Sequence, residues 1–111
     1  METETLSGLE AMEAEYRQEA FRFCLAIRAE ARAYPRTEIS DDEGNPSIDV
    51  RLQVYPDGEF TFHSGDACYD TSHSGFWGAG SVSPDFDEQE CMWVARDLVE
   101  QALEDAAQSL T

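Results

Sequence analysis

Apolar residues recur every three or four positions along the first third of the chain, which is the spacing of an amphipathic helix. Ser7 and Glu10 match the capping-box pattern of a helix start, and Pro35 is expected to end the helix. The sequence therefore predicts one long helix from Ser7 to about Tyr34. Its apolar side is formed by Leu9, Met12, Tyr16, Ala20, Phe23, Ile27, Ala31 and Tyr34.

The length of this helix raises a packing problem. At 1.5 Å per residue it would be about 42 Å long, whereas a folded chain of 111 residues is expected to be about 35 Å across. The helix must therefore bend, or one end must project and be covered by a partner. A homodimer is one expectation from this mismatch.

An acidic linker over residues 37–47 separates the helix from a strictly alternating segment. Apolar and polar residues alternate from Ile48 to Tyr55, as in a strand with one buried face. Pro56, Asp57 and Gly58 supply a type I turn with glycine in the left-handed position, and residues 59–63 return with two inward phenylalanines. The pattern predicts a β-hairpin, followed by a third strand near residues 76–82.

A second helical pattern follows Ser83 and Pro84. Asp85 and Glu88 match another capping box, and the apolar spacing continues to about Ser109. We therefore expect a single acidic α+β domain over residues 1–111, in the order α-β-β-β-α, with two long helices packed on one face of a small antiparallel sheet of about three strands. The apolar side of the second helix gathers Cys91, Met92, Ala95, Leu98, Val99, Ala102, Leu103, Ala106 and Leu110.

The charge of the chain restricts its partners. Asp and Glu number 24, against seven Arg and no Lys, so the formal net charge is −17. Hydrophobic residues make up 41% of the chain, which is too apolar for a disordered acidic tail. Direct binding to a nucleic acid is disfavoured by repulsion. A basic protein surface is the favoured partner, and no apolar run is long enough to predict a membrane helix.

Negative charge that no basic residue offsets is concentrated in the second half of the chain. From Leu52 onward there are twelve of them against Arg96 alone. On the second helix the carboxylates of Glu90, Asp97, Glu100 and Glu104 are expected to share one exposed face, at spacings comparable to those between nucleic-acid phosphates. They are predicted to bind the basic surface of a partner, helped by Asp41, Asp42, Glu43, Asp57 and Glu59. An acid-rich composition is equally typical of adaptation to high salt, in which case the chain is a generic acidic adaptor.

The segment from His63 to Trp77 allows three interpretations. His63, Asp66, Cys68 and His73 could hold a metal or serve a hydrolytic reaction, but their spacing fits no standard zinc module. Alternatively the segment is structural, with its acids capping tight turns and Gly78 and Gly80 allowing close backbone approach. The third interpretation is an aromatic protein interface formed by Tyr69, His73 and Trp77. The sequence contains no recognisable catalytic motif, so it predicts a protein that is not an enzyme and has no metal or other cofactor.

The three cysteines, Cys24, Cys68 and Cys91, are an odd number and lie far apart. Two of them fall within helical apolar patterns, so we expect them in the core. This usage is typical of a cytoplasmic protein with reduced thiols.

Small size, extreme acidity, an α+β pattern and the lack of a catalytic motif together resemble a class of phage and mobile-element proteins that counter host defence. This class comprises the anti-CRISPR and antirestriction proteins, several of which are DNA mimics. The segment from Gly65 to Gly78 is also similar to stretches of phage proteins. The resemblance implies a stoichiometric inhibitor that binds a defence nuclease or a CRISPR effector in the host cytoplasm, and it assigns no individual residue a role.

Overall fold

The computed structural model describes residues 2–33, 47–68 and 74–110. Its elements are α1 (Glu2–Ala11), α2 (Glu13–Ala33), β1 (Ile48–Val54), β2 (Phe60–Ser64), a short 3-10 helix (Gly65–Cys68), β3 (Phe76–Val82) and α3 (Glu88–Leu110). The fold is the α+β arrangement that the sequence predicts, with two long helices and a three-stranded antiparallel sheet. The predicted acidic linker lies almost entirely outside the described residues.

The single long helix expected at the start of the chain is two helices. The Met12 amide donates to the Leu9 carbonyl, 3.1 Å away, which closes a tight turn and ends α1. The Tyr16 amide then bonds to the Met12 carbonyl and α2 continues. The capping box expected at Ser7 and Glu10 is wrong, since both residues lie inside α1. After the break α1 packs against α3 and Leu9 is buried, and the molecule is longer than expected, with a long axis of 47 Å.

The strands are ordered β2-β1-β3, and β1 pairs antiparallel with both neighbours. Strict alternation on β1 sends Ile48, Val50, Leu52 and Val54 to the helix-packed face, where all four are buried. The hairpin turn has the predicted glycine in the left-handed region, with Gly58 at φ 94°.

The helices cover the same face of the sheet. Phe60 and Phe62 turn inward from β2, where Phe60 meets the Tyr16 ring edge-on and Phe62 stacks on Phe23. At the opposite edge of this same face, α3 packs on β3 at Gly78 and Gly80. These are the glycines predicted to allow close backbone approach. Cys24 and Cys91 are fully buried in the core, as expected.

Side chains of α3 protect the outer edge of β3. Gln101 donates to the Ala79 carbonyl and accepts from the Ala79 amide, at 2.9 and 3.2 Å. The Trp77 amide donates to Asp105 at 3.1 Å. These backbone groups of Trp77 and Ala79 are therefore not available to pair with a strand of another chain.

The start of α3 differs from its prediction. Asp87 accepts a hydrogen bond from the Glu90 amide at 2.8 Å, and Glu90 accepts one from the Asp87 amide at 3.1 Å. This reciprocal pair is a capping box. The expected Asp85 and Glu88 cap is wrong, because the helix begins at Glu88 and Asp85 lies before it.

Candidate functional site

A cleft of about 510 Å³ lies between the α1–α2 junction and the turn that joins β1 to β2. We call it the hairpin cleft. Tyr16 sets its position, because the Tyr16 hydroxyl donates to the Gly58 carbonyl at 2.9 Å and so holds the turn against α2. The apolar part of the lining comes from Leu9, Met12, Pro56 and Phe60.

Three carboxylates line the hairpin cleft, those of Glu15, Asp57 and Glu59. All three residues are exposed. Asp57 accepts a hydrogen bond from the Glu59 amide at 2.9 Å, which shapes the turn. Burial raises the pKa of Tyr16, and the charges of Glu15 and then Asp57 raise it further. The hydroxyl therefore stays protonated and remains a hydrogen-bond donor to the turn.

Within the described part of the chain, no arginine forms an ion pair with these carboxylates. Arg17 pairs with Glu13 at 2.6 Å and with Glu100 at 3.4 Å, and Arg22 pairs with Glu19 at 3.1 Å. None of the ion pairs among the described residues includes a carboxylate of the hairpin cleft.

The remaining described arginines serve other parts of the structure. Arg28 and Arg32 donate to the carbonyl of Phe86, and Arg32 also donates to that of Pro84. These bonds fasten the connection between β3 and α3 to α2. Arg51 lies over the Trp77 ring, 6.0 Å from its centroid. The hairpin cleft is therefore left with acidic and apolar groups.

The predicted acidic face of α3 divides into different environments. Glu90 is occupied in the capping box. Glu100 lies 3.4 Å from Arg17 and 3.8 Å from Arg96, and Asp97 lies 3.9 Å from Arg96. Glu104 is exposed and accepts a hydrogen bond from Gln108 at 3.4 Å. Positive charge therefore offsets the middle of this face, while Glu104 has no arginine partner among the described residues.

Several predicted site residues lie outside the described ranges, namely Asp41, Asp42, Glu43, Tyr69 and His73. Trp77, from the expected aromatic interface, is half-buried on the sheet face opposite the helices. Its ring lies 5.7 Å from that of His63, between centroids.

Two of the residues predicted for a metal or hydrolytic site, His63 and Cys68, make other hydrogen bonds. Nε2 of His63 donates to Oε1 of Gln53 at 3.0 Å, because the Gln53 amide nitrogen already donates to the Ser74 carbonyl at 2.6 Å. Burial lowers the pKa of His63, with a smaller effect from Arg51. Cys68 is buried, which raises its pKa. The described ranges contain no group of three or more His, Cys, Asp or Glu that could hold a metal ion.

Sequence reasoning identified Asp57 and Glu59 but did not place Glu15 beside them. Glu15 precedes Tyr16 on a helix, about 40 residues before the turn, so no local pattern connects the two segments. The available signal was the prediction of a buried Tyr16, whose hydroxyl required a partner. That partner proved to be the turn itself.

Comparisons with models of protein families, with curated protein sequences and with solved structures found no match for this chain. Within the described residues, none of the helices is long and apolar enough to cross a membrane.

Proposed function

We propose that this protein is a non-enzymatic inhibitor that binds the basic nucleic-acid-binding surface of a host defence nuclease or CRISPR effector. The hairpin cleft is the centre of the proposed interface, and Glu104 on α3 is a second exposed acidic position that the partner would contact. The observation that carries the proposal is the set of three cleft carboxylates, none of which has an arginine partner among the described residues.

The composition of the cleft fits the side chains that line nucleic-acid channels. Lysine and arginine carry a charged head on a long apolar stem. The stem would pack on Leu9, Met12 and Phe60, and the head would reach Glu15, Asp57 or Glu59. A phosphate group offers charge alone, so the cleft supplies apolar contact in addition to mimicry.

The net charge of −17 supports the same partner. An acidic field over the whole chain attracts a basic channel, increases the rate of encounter and repels nucleic acid. The protein would act by occupying the channel in the cytoplasm of the host cell, as the class resemblance to anti-CRISPR and antirestriction proteins implies.

The proposal is tested by capture from a bacterial lysate followed by elution with duplex DNA. The bait is the full chain, and the comparison variant carries Glu15→Gln, Asp57→Asn and Glu59→Gln. Asn at position 57 still accepts the turn hydrogen bond, so the fold is retained. We expect the wild type to capture a nucleic-acid-binding protein that duplex DNA releases, and the variant to lose most of that capture.

A matched control removes the same number of charges elsewhere. Glu30→Gln, Asp66→Asn and Asp85→Asn replace exposed acids at the opposite end of the sheet. This control should capture the target almost as well as the wild type. Equal loss in both variants, or a captured protein that duplex DNA does not release, would reject the hairpin cleft as the binding surface.

A further inference from the structure

A second surface, unrelated to the hairpin cleft, lies between α2 and α3. It is a groove of about 340 Å³ lined by Arg17, Gln18, Phe21, Met92, Trp93, Ala95 and Arg96. We call it the helix groove. Met92 and Trp93 are 53% and 49% exposed, and they are the only large apolar side chains exposed in the described part of the chain. The sequence placed Met92 on the buried side of α3, so its exposure is a correction.

The residues of the helix groove are of the types that dominate the energy of protein interfaces. Trp, Met and Arg are enriched at interface cores and among hot spots. Here Trp93 and Met92 follow one another on α3, and Phe21 faces them from α2. Adjacent exposed apolar groups of this kind indicate a contact surface.

The charges around the helix groove are of both signs. Arg17 and Arg96 lie on its two sides, and the carboxylates that they contact are those of Glu13, Asp97 and Glu100. Such a patch is self-complementary, because a twofold axis places the arginines of one copy near the carboxylates of another. The hairpin cleft lacks this balance, so two copies would repel each other there.

We propose that the helix groove binds a second copy of this chain to form a symmetric homodimer. Trp93 of each copy occupies the helix groove of the other, and Arg96 faces Asp97 and Glu100 across the axis. Arg17 and Arg96 would repel a basic partner from this surface. The helix groove shares no lining residue with the hairpin cleft, and the dimer proposal does not rest on the proposed inhibitory function.

The salt dependence of association distinguishes dimerisation from binding to a basic target. Each copy carries a formal charge of −17, so dimerisation brings like charges together. Raising the salt from about 0.1 M to about 1 M shortens the Debye length from roughly 10 Å to roughly 3 Å and screens this repulsion. The dimer should strengthen with salt, whereas attraction to a basic target should weaken.

The experiment is sedimentation equilibrium of the full chain at both salt concentrations. We expect a reversible dimer whose association constant rises several-fold with salt. Trp93→Glu should lower that constant at least about tenfold, as for a central interface residue. Met92→Gln should lower it less, without adding charge. Ser109→Glu adds the same charge to an exposed position near the end of α3 and should leave the constant within about twofold.

Circular dichroism of each variant establishes that it is folded. If Trp93→Glu does not fold, Met92→Gln alone decides the role of the groove. A wild type that stays monomeric at both salts would overturn the proposal. So would a dimer that Met92→Gln leaves unchanged, or one that weakens as salt rises.

Discussion

The backbone of Gly78 on β3 packs directly against the Leu98 carbonyl group on α3. A Cβ atom at position 78 would collide with the Leu98 carbonyl oxygen and would lie 2.8 Å from the carbonyl carbon, closer than real Cβ atoms approach backbone. These atoms belong to a helix and cannot move alone. Gly78 therefore sets the spacing between helix and sheet.

Replacement of Gly78 with Ala should destabilise the protein by about 3 kcal/mol, because the helix must shift or the strand must strain. Urea unfolding followed by circular dichroism measures the loss. Gly8→Ala is the matched control, since a Cβ there has open space within α1. It should stabilise by up to about 1 kcal/mol. Similar stabilities for the two variants would contradict the close packing.

The cap of α3 offers a second comparison between neighbouring residues. Asp87→Ala should cost about 1 kcal/mol of unfolding free energy, because it removes the acceptor for the Glu90 amide. Asp85→Ala should change the unfolding free energy by less than about 0.5 kcal/mol, because the hydrogen bond from the backbone amide of residue 85 to the Ser83 hydroxyl is retained. Thermal unfolding of both variants checks this, and a larger loss at position 85 would contradict the observed cap.

The outcome at this cap illustrates what the sequence could and could not predict. Asp85 and Asp87 each have a Glu three residues later, so the pattern alone did not choose between them. Arg28 and Arg32 bind the carbonyls before the helix, and this tertiary contact favours the later start. The strands were predicted well, because an alternation with period two is a local signal that one buried face imposes.

The periodicity of apolar residues could not predict the helix break at Met12 or the hairpin cleft. Apolar spacing runs through Met12 without interruption, whereas the packing of α1 against α3 is a tertiary contact that the spacing does not report. The cleft joins Glu15 to Asp57 across long sequence separation. Helical spacing predicted which carboxylates of α3 share a face. It could not predict that Arg17 of α2 reaches Glu100 on that face.

His63 should make stability depend on pH. Its pKa in the folded protein lies below the ordinary value of 6.5, chiefly because of burial. The unfolded chain therefore binds a proton more readily, so the contribution of His63 to stability is complete above about pH 6.5 and declines as the pH falls through the window below it. His63→Gln should lack this decline. The difference in unfolding free energy between the two proteins, measured from pH 7.5 to about pH 5, isolates the effect from that of the carboxylates. A difference that is constant with pH would contradict the assignment.

The thiols should be unreactive in the folded protein. Burial raises the pKa of Cys24 to about 12, with a smaller contribution from Cys91, and burial also raises that of Cys68 and Cys91. Because the thiolate is the reactive form, labelling with a thiol reagent at pH 8 should be slow in buffer and rapid in denaturant. Mass spectrometry after timed quenching counts the labelled sites. Labelling of any cysteine at its denatured rate in the native protein would show that it is accessible.

The inhibitory proposal depends on charge, and the salt dependence of target binding tests it most directly. Calorimetry with the protein released by duplex DNA should show a several-fold loss of affinity between about 50 mM and about 200 mM salt, because ion pairs on an exposed surface are screened. The variant that lacks the Glu15, Asp57 and Glu59 charges should bind more weakly and with a shallower salt dependence, and duplex DNA should exclude the wild type from its target. Affinity that is unchanged between the two salts, or a complex that holds both the duplex and this protein, would contradict the account.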